Sequence, residues 1–306
     1  MLCHTNVLFL VCTMYTVQKP ADLVTVSAQT VAGFAWQAQQ KAVLGAVYLQ
    51  TADYFYQNAN RISSVQDILN DPRLLDFALG ACALSRKSLN YLDPAARLSM
   101  ISQVIDISSL SNRQYLHSLE RRYLLTCGDS VGGSMRNVIG QAAQNKLSDV
   151  IIQRLSQAGF ACQYSTNPAN TKVLTIDWTG NHGARRLVFD KKSPIVDKSI
   201  DFILLKNSLS LGIPADHIAC GELKGGIDPA GADEHWKTAR AALNRIELVF
   251  PKAGLSIPKL FFVGAAIEPA MAVEIFNRLI TGEMYAAANL TNSAQLIELV
   301  DMLIQL

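Results

Sequence analysis

The sequence contains no Cys-x-x-C pair, although six cysteines are spread along its 306 residues. The usual zinc knuckles need such close pairs, so this spacing excludes them. Six cysteines in a chain of this length are also too few for the disulfide framework of a small secreted domain. The cysteine content therefore predicts a cytoplasmic protein, in a reducing compartment.

Long hydrophobic runs and an excess of charge are lacking as well. No segment approaches the ~20 apolar residues of a membrane span. The apolar run within MLCHTNVLFLVCTMYTVQKP has neither the preceding Lys or Arg nor the following cleavage site of a signal peptide. The formal net charge is only +2, so bulk charge does not indicate a nucleic-acid partner, although local basic clusters would suit one. We expect neither secretion nor a membrane anchor.

What the sequence does contain is a globular chain whose first part is helical. Half of the residues are apolar, which is enough for a sizeable core. Asp71 and Asp93 each precede a proline, as helix N-caps often do. The segment GDSVGGSMRN (128–137) predicts a Gly-rich loop before a long helix that ends at Gly159. We therefore expect helices over about the first 160 residues.

After Phe160 the pattern changes to short strand-like runs separated by turn residues. A helix with one apolar face follows in ADEHWKTARAALNRIELVF, and the tail from Pro269 is predicted to be helical. The sequence thus predicts an α/β (α+β) fold, in which a helical domain (1–125) precedes a catalytic domain (126–306) with a mixed sheet. The runs predicted as strands are ACQYS, KVLTIDW, RRLVFD, SIDFILL, HIACGELK and KLFFVGAAI.

Glu222 and Lys224, at the end of one predicted strand, form the candidate site together with Asp201 in another. Residues two apart on a strand project from the same face, so Glu222 and Lys224 point together. If the two strands are neighbours, Asp201 joins them at one end of the sheet. Most isolated Glu-x-Lys pairs are solvated strand ends, so this spacing alone is a weak signal.

Two converging carboxylates favour a bound cation. Mg²⁺ suits them because it accepts a couple of carboxylates and keeps several waters for phosphate oxygens. Such an ion polarises a phosphate and lowers the pKa of a water, while a neighbouring lysine orients or helps deprotonate that water and stabilises charge. The three residues therefore predict Mg²⁺-dependent hydrolysis of a phosphodiester.

A second set of residues competes with this site. Asp190 and Lys192 form an Asp-x-Lys after another predicted strand, with Asp177 upstream as a partner. We favour Glu222 and Lys224 because they lead into GGIDPAGADEHW. There, two glycines would let the backbone approach a ligand closely, and a helix N-terminus would face a phosphate.

The segment GELKGGIDPAGADEHWKTA, with SIDFILL before it, resembles the AvaI/BsoBI group of type II restriction endonucleases, within the PD-(D/E)xK nucleases. In that group an Asp, a Glu-x-Lys and a His eleven residues beyond the Lys form the active site. The corresponding residues here are Asp201, Glu222, Lys224 and His235. The interval from Asp to Glu is shorter than in the group and no Pro precedes Asp201, so Asp197 is an alternative first ligand. About the first hundred residues have no counterpart in the resemblance.

The resemblance implies a PD-(D/E)xK restriction-endonuclease-like core, Mg²⁺ as cofactor, and a homodimer around double-stranded DNA that cuts both strands at a short palindrome. It implies that His235 is an assisting base. We expect the DNA backbone to be contacted by Arg136 and Asn137, unless their segment is only a tight turn, and by Lys206. Asp228 either accepts a cytosine N4 hydrogen or only caps the following helix.

The sequence as a whole predicts a type II restriction endonuclease. Two alternatives stay open: a repair or recombination nuclease with the same PD-(D/E)xK core, and a non-catalytic DNA-binding protein of the same fold. The intact Asp, Glu and Lys set argues against the second, since a protein without the chemistry has no physical need for adjacent unpaired carboxylates.

Overall fold

The computed structural model describes residues 14–84, 86–207 and 209–306. They form two compact units, one comprising Ala35–Val138 and the other comprising Ile139–Leu306 together with the residues up to Phe34. We call them the helical unit and the sheet unit. The boundary predicted between residues 125 and 126 falls inside one long helix. Most of the N-terminal apolar run that was weighed as a signal peptide lies outside the described residues.

Two helix N-caps of the helical unit are those that the sequence predicts. Asp71 and Asp93 cap two of its helices, because each carboxylate accepts hydrogen bonds from backbone amides of the first turn. The aromatic rings of Phe55, Phe77 and Tyr123 pack together in its core. After a short helix in the sheet unit, α1 (Pro20–Leu23), the helices are α2 (Ser27–Asn58), α3 (Val65–Asn70), α4 (Pro72–Ala81), α5 (Pro94–Val104) and α6 (Arg113–Gln157).

The Gly-rich segment 128–137 is not a loop, contrary to the prediction. It lies within α6, which continues without a break for 45 residues. Each glycine costs about 1 kcal/mol relative to alanine in a helix. Burial of Cys127 and Met135 on the same helix offsets that cost. The predicted end of the helix is confirmed, since Gly159 has a left-handed φ of +78° just beyond Gln157.

The sheet unit contains one seven-stranded sheet in the order β1-β2-β3-β4-β5-β6-β7. The first five strands are antiparallel to their neighbours, and β5, β6 and β7 run parallel. All six predicted strands are present. The strands are β1 (Cys162–Thr166), β2 (Val173–Gly180), β3 (Gly183–Ser193), β4 (Lys198–Lys206), β5 (His217–Lys224), β6 (Lys259–Gly264) and β7 (Ala286–Asn289).

The tail from Pro269 was predicted to be helical, but it also contains a strand. The helices α8 (Pro269–Ile280) and α9 (Ser293–Ile304) flank the short strand β7. That strand reads AAAN and all four of its residues are buried. Alanine has no preference for strands, and a strand buried on both faces shows no polar alternation, so the sequence carries no signal for it.

Helix α7 (Pro229–Lys252) packs its predicted apolar face into the core, and strand pairing beneath it positions the candidate site. β4 and β5 are paired so that Phe202 lies opposite Gly221. The ring of Phe202 covers Gly221 so closely that a Cβ atom there would lie 2.0 Å from it. Position 221 therefore requires glycine. The pairing of Phe202 with Gly221 also places their neighbours Asp201 and Glu222 next to each other. Within the described residues, no helix is both long and apolar enough to cross a membrane.

Candidate active site

The structure brings together Asp201, Glu222 and Lys224, at one end of the β4–β5 pair. The ammonium group of Lys224 donates to Oδ2 of Asp201 at 3.0 Å and to Oε2 of Glu222 at 2.7 Å. The backbone amide of Leu223 also donates to Oδ2 of Asp201, at 2.7 Å. The side chains of Glu222 and Lys224 share one face of β5, and that of Leu223 lies on the other face. The backbone amide of Leu223 lies in the plane of the sheet and points towards β4.

Burial and like charge both act on Glu222, which is only 3% exposed. Burial raises the pKa of its carboxyl and the neighbouring Asp201 raises it further, to about 7, although Lys224 opposes the shift. For Lys224, burial lowers the pKa, but Glu222 and Asp201 outweigh it and the net shift is upward. The lysine is therefore protonated at neutral pH and is held between the two carboxylates.

The donor set fits a hard divalent cation. Asp201 and Glu222 offer carboxylate oxygens, and the hydrogen bonds from Leu223 and Lys224 use one oxygen of each carboxylate, Oδ2 and Oε2. Across the described ranges, no three His, Cys, Asp or Glu side chains are grouped closely enough to enclose a metal. Two carboxylates with remaining positions for water and phosphate are typical of Mg²⁺ sites rather than of zinc or closed calcium sites.

An open cleft of about 810 Å³ gives access to these three residues. One of its walls is the start of β4, with Lys198 and Ser199, and another is the exposed face of α7. A cleft with acids at one end and several cations along its walls suits a polyanionic substrate. The residues that α7 contributes are Glu234, Lys237, Thr238, Ala241, Ala242 and Arg245.

His235 does not line this cleft with Asp201, Glu222 and Lys224. Its ring lies against the loop after β5, where a Cβ atom on Gly226 would be 2.6 Å from Nε2 of His235. Among the described residues, the imidazole has no hydrogen-bonding partner.

The two glycines after Lys224 were predicted to let the backbone approach a ligand closely. In the structure they lie against other parts of the protein. A Cβ atom on Gly225 would lie 2.6 Å from Cβ of Ala143 on α6, and one on Gly226 would meet His235. Both glycines therefore make room for protein atoms.

The predicted DNA contacts lie at different places in the molecule. Asp228 caps α7, since its carboxylate accepts from the amide of Ala230 at 3.0 Å. Lys206 ends β4, opposite Arg185. Arg136 and Asn137 belong to the helical unit, where they line a cavity of about 620 Å³.

The competing acids are paired elsewhere. Asp177 accepts from Arg186 at 2.6 Å, and Asp190 pairs with Lys172 at 3.2 Å. Asp197 pairs with Lys192 and its side chain is 80% exposed. None of these three carboxylates lines the cleft with Glu222 and Lys224.

The α7 side chains in the cleft, with Lys198 and Ser199, were missed by the sequence reasoning. Glu234, Thr238, Ala241 and Arg245 are spaced by four, three and four residues, so they form one stripe of the helix. The sequence shows that spacing, but the buried stripe on the opposite face of the helix, from Trp236 to Phe250, gave the stronger signal.

Comparison with known proteins identifies the family of the chain. Residues 14–306 match the model of the BsobI restriction endonuclease family. The type II restriction enzyme AvaI from Nostoc sp. is 34% identical over 312 aligned positions, which cover 95% of this chain and 99% of AvaI. The type II restriction enzyme BsoBI from Geobacillus stearothermophilus is 35% identical over 298 positions, covering 90% of this chain and 92% of BsoBI.

Proposed function

This chain belongs to the BsobI restriction endonuclease family, and on that premise we propose that it cuts both strands of duplex DNA at a short palindromic sequence, with Mg²⁺ as cofactor. It is a type II restriction enzyme, a site-specific deoxyribonuclease. The proposal of Mg²⁺-dependent cleavage rests on one observation, the contact of Asp201, Glu222 and Lys224 in an open cleft. The mixed sheet that builds this contact agrees with a restriction-endonuclease-like fold.

Asp201 and Glu222 would hold the Mg²⁺ ion between them. When bound there, the ion supplies charge that polarises the scissile phosphate and lowers the pKa of a water. The hydrogen bond from the amide of Leu223 orients the carboxylate of Asp201, and the packing of Phe202 on Gly221 keeps the two strand ends in register. The protein thus preorganises both carboxylates on rigid strands.

Lys224 acts as a charged donor in this proposal. The upward shift of its pKa keeps it protonated, so that it stabilises negative charge on the phosphate and orients the attacking water instead of deprotonating it. His235 is the proposed assisting base. Its support is its place in the second turn of α7, against the glycine two residues beyond Lys224. Histidine is the side chain that most often accepts a proton as a general base.

The proposed homodimer is supported by α2. From residue 27 to residue 50 this helix has no buried side chain and one charged residue, Lys41. Val31, Val43, Val47 and Leu49 are each more than half exposed. A long, nearly uncharged helix surface is typical of a protein interface, and a second copy would suit it because a two-fold arrangement matches a palindromic target. We place the enzyme in the cytoplasm, where its DNA substrate would be.

Plasmid digestion with the purified protein tests the function. Discrete fragments with Mg²⁺ or Mn²⁺ are expected, Ca²⁺ should permit binding with little turnover because of its looser geometry, and EDTA should stop cleavage. A smear would instead indicate a nonspecific nuclease, and an intact plasmid a DNA-binding protein. Glu222→Gln is the matched control, because it removes a metal-binding charge and keeps the side-chain shape. Cleavage that survives EDTA, or near wild-type cleavage by Glu222→Gln, would contradict the proposed site.

A further inference from the structure

Arg245 belongs to the stripe of α7 that faces the cleft. It lies seven residues beyond Thr238 and four beyond Ala241, and all three line the same cavity as Asp201, Glu222 and Lys224. With a rise of about 1.5 Å per residue, Arg245 is about 10 Å further along the helix axis than Thr238. The opposite stripe of α7 is buried, so this helix is held firmly and its exposed stripe has a defined direction.

Arg245 also differs from the other arginines of the sheet unit. Five of the six donate to a carboxylate or to a backbone carbonyl. In the described part of the chain, Arg245 makes no hydrogen bond and no ion pair, although its side chain is only partly exposed. The five with partners are Arg154, Arg185, Arg186, Arg240 and Arg278.

The neighbouring cations of the cleft are differently placed. Lys224 is held by Asp201 and Glu222, and Lys237 pairs with Asp233. Lys198 is exposed at the start of β4. Arg245 is therefore a partly exposed arginine on a helix packed into the core, with no anionic partner among the described residues, in a cleft whose charges suit a polyanion. A guanidinium binds phosphate through two parallel hydrogen bonds, which an ammonium group does not reproduce.

We propose that Arg245 binds a backbone phosphate of the DNA strand in the cleft, other than the phosphate that is cleaved. The inference rests on the proposed nuclease function and adds a positioning residue to it. Arg245 holds the strand in register along α7 and contributes affinity that is independent of base sequence.

Equilibrium binding of duplex DNA in Ca²⁺, over a series of KCl concentrations, tests this role. The logarithm of the binding constant falls linearly with the logarithm of the salt concentration, and loss of one phosphate contact makes this slope less steep by about 0.9. Arg245→Ala should show that change and bind roughly tenfold more weakly, equally for cognate and unrelated duplexes. Arg245→Lys should keep the slope, because it keeps the charge. Arg240→Ala is the matched control, since this exposed arginine of the same helix pairs with Glu274 and does not line the cleft.

Circular dichroism and the Tm of each variant report its folding. An unchanged salt slope in folded Arg245→Ala, with a wild-type protein that cleaves DNA, overturns this inference alone. An equal change in Arg240→Ala also overturns it, because it would reflect general surface charge. A wild-type protein that neither binds nor cleaves DNA overturns the proposed function and this inference with it.

Discussion

Replacement of Glu222 by Gln should stabilise the metal-free protein at high pH while it abolishes cleavage. The folded-state pKa of Glu222 is raised from 4.5 to about 7, chiefly by burial and then by Asp201. Between these two values the folded state binds more protons than the unfolded state, so stability falls as pH rises through that window. At about 1.4 kcal/mol for each pH unit, the ionised carboxylate costs the folded protein about 3 kcal/mol at pH ~8.

Gln carries no charge, so Glu222→Gln avoids that cost. In EDTA at pH ~8 the variant should be more stable than the wild type by up to about 3 kcal/mol, and at pH ~5 by less than about 1 kcal/mol. The first difference corresponds to a rise in Tm of about 5 °C for a chain of this size. Lys224 keeps an ion pair with Asp201 in the variant, so no unpaired charge is left behind.

Differential scanning calorimetry at the two pH values, with and without Mg²⁺, measures these effects. Mg²⁺ at a hundredfold excess over its Kd should stabilise the wild type by about 2.7 kcal/mol and so raise its Tm, and it should leave the Tm of the variant nearly unchanged. Glu234→Gln is the control, because Glu234 lies exposed in the same cleft and its replacement should change stability by no more than ~0.5 kcal/mol. A wild type more stable than Glu222→Gln in EDTA at pH ~8 would refute the reasoning.

Four further substitutions test other parts of the site and its support. Asp201→Asn should abolish plasmid cleavage. Asp197→Asn should cleave like the wild type, because the exposed carboxylate of Asp197 pairs with Lys192 outside the cleft. The reverse pattern would make Asp197 the metal ligand. His235→Ala should lower single-turnover cleavage by roughly 10² to 10⁴ with cognate binding unchanged, and an unchanged rate would leave the histidine a structural role only. Gly221→Ala should destabilise the protein by about 1–3 kcal/mol in urea unfolding, because the added Cβ would lie 2.0 Å from the ring of Phe202, and a change within error would contradict that packing.

Local patterns in the sequence were sufficient for the signals that act over a few residues. The capping carboxylates of Asp71 and Asp93 bond to amides two or three residues away. Glu222 and Lys224 share a face because strand geometry alternates every residue. The predicted strands and the apolar stripe of α7 are confirmed for the same reason, since period two and period 3.6 are properties of a short segment.

Local signals failed where packing outweighed intrinsic preference. The glycines of segment 128–137 favour a turn, yet they lie within α6 because apolar side chains on either side of them are buried. The residues of β7 have little strand preference, yet parallel pairing with β6 and burial of both faces make them a strand.

The sequence by itself thus determined the change from helices to strands, six of the seven strands, and the acid and lysine at the end of β5. Only the tertiary structure decided that Asp201 and not Asp197 meets them, because that depends on the pairing of Phe202 with Gly221. It also decided that Arg245 shares their cleft, since α7 reaches it by packing across the sheet and not by proximity in the chain. Burial of Glu222 beside Asp201, which raises its pKa, is likewise a property of the assembled core, because desolvation and charge act between residues that are distant in sequence.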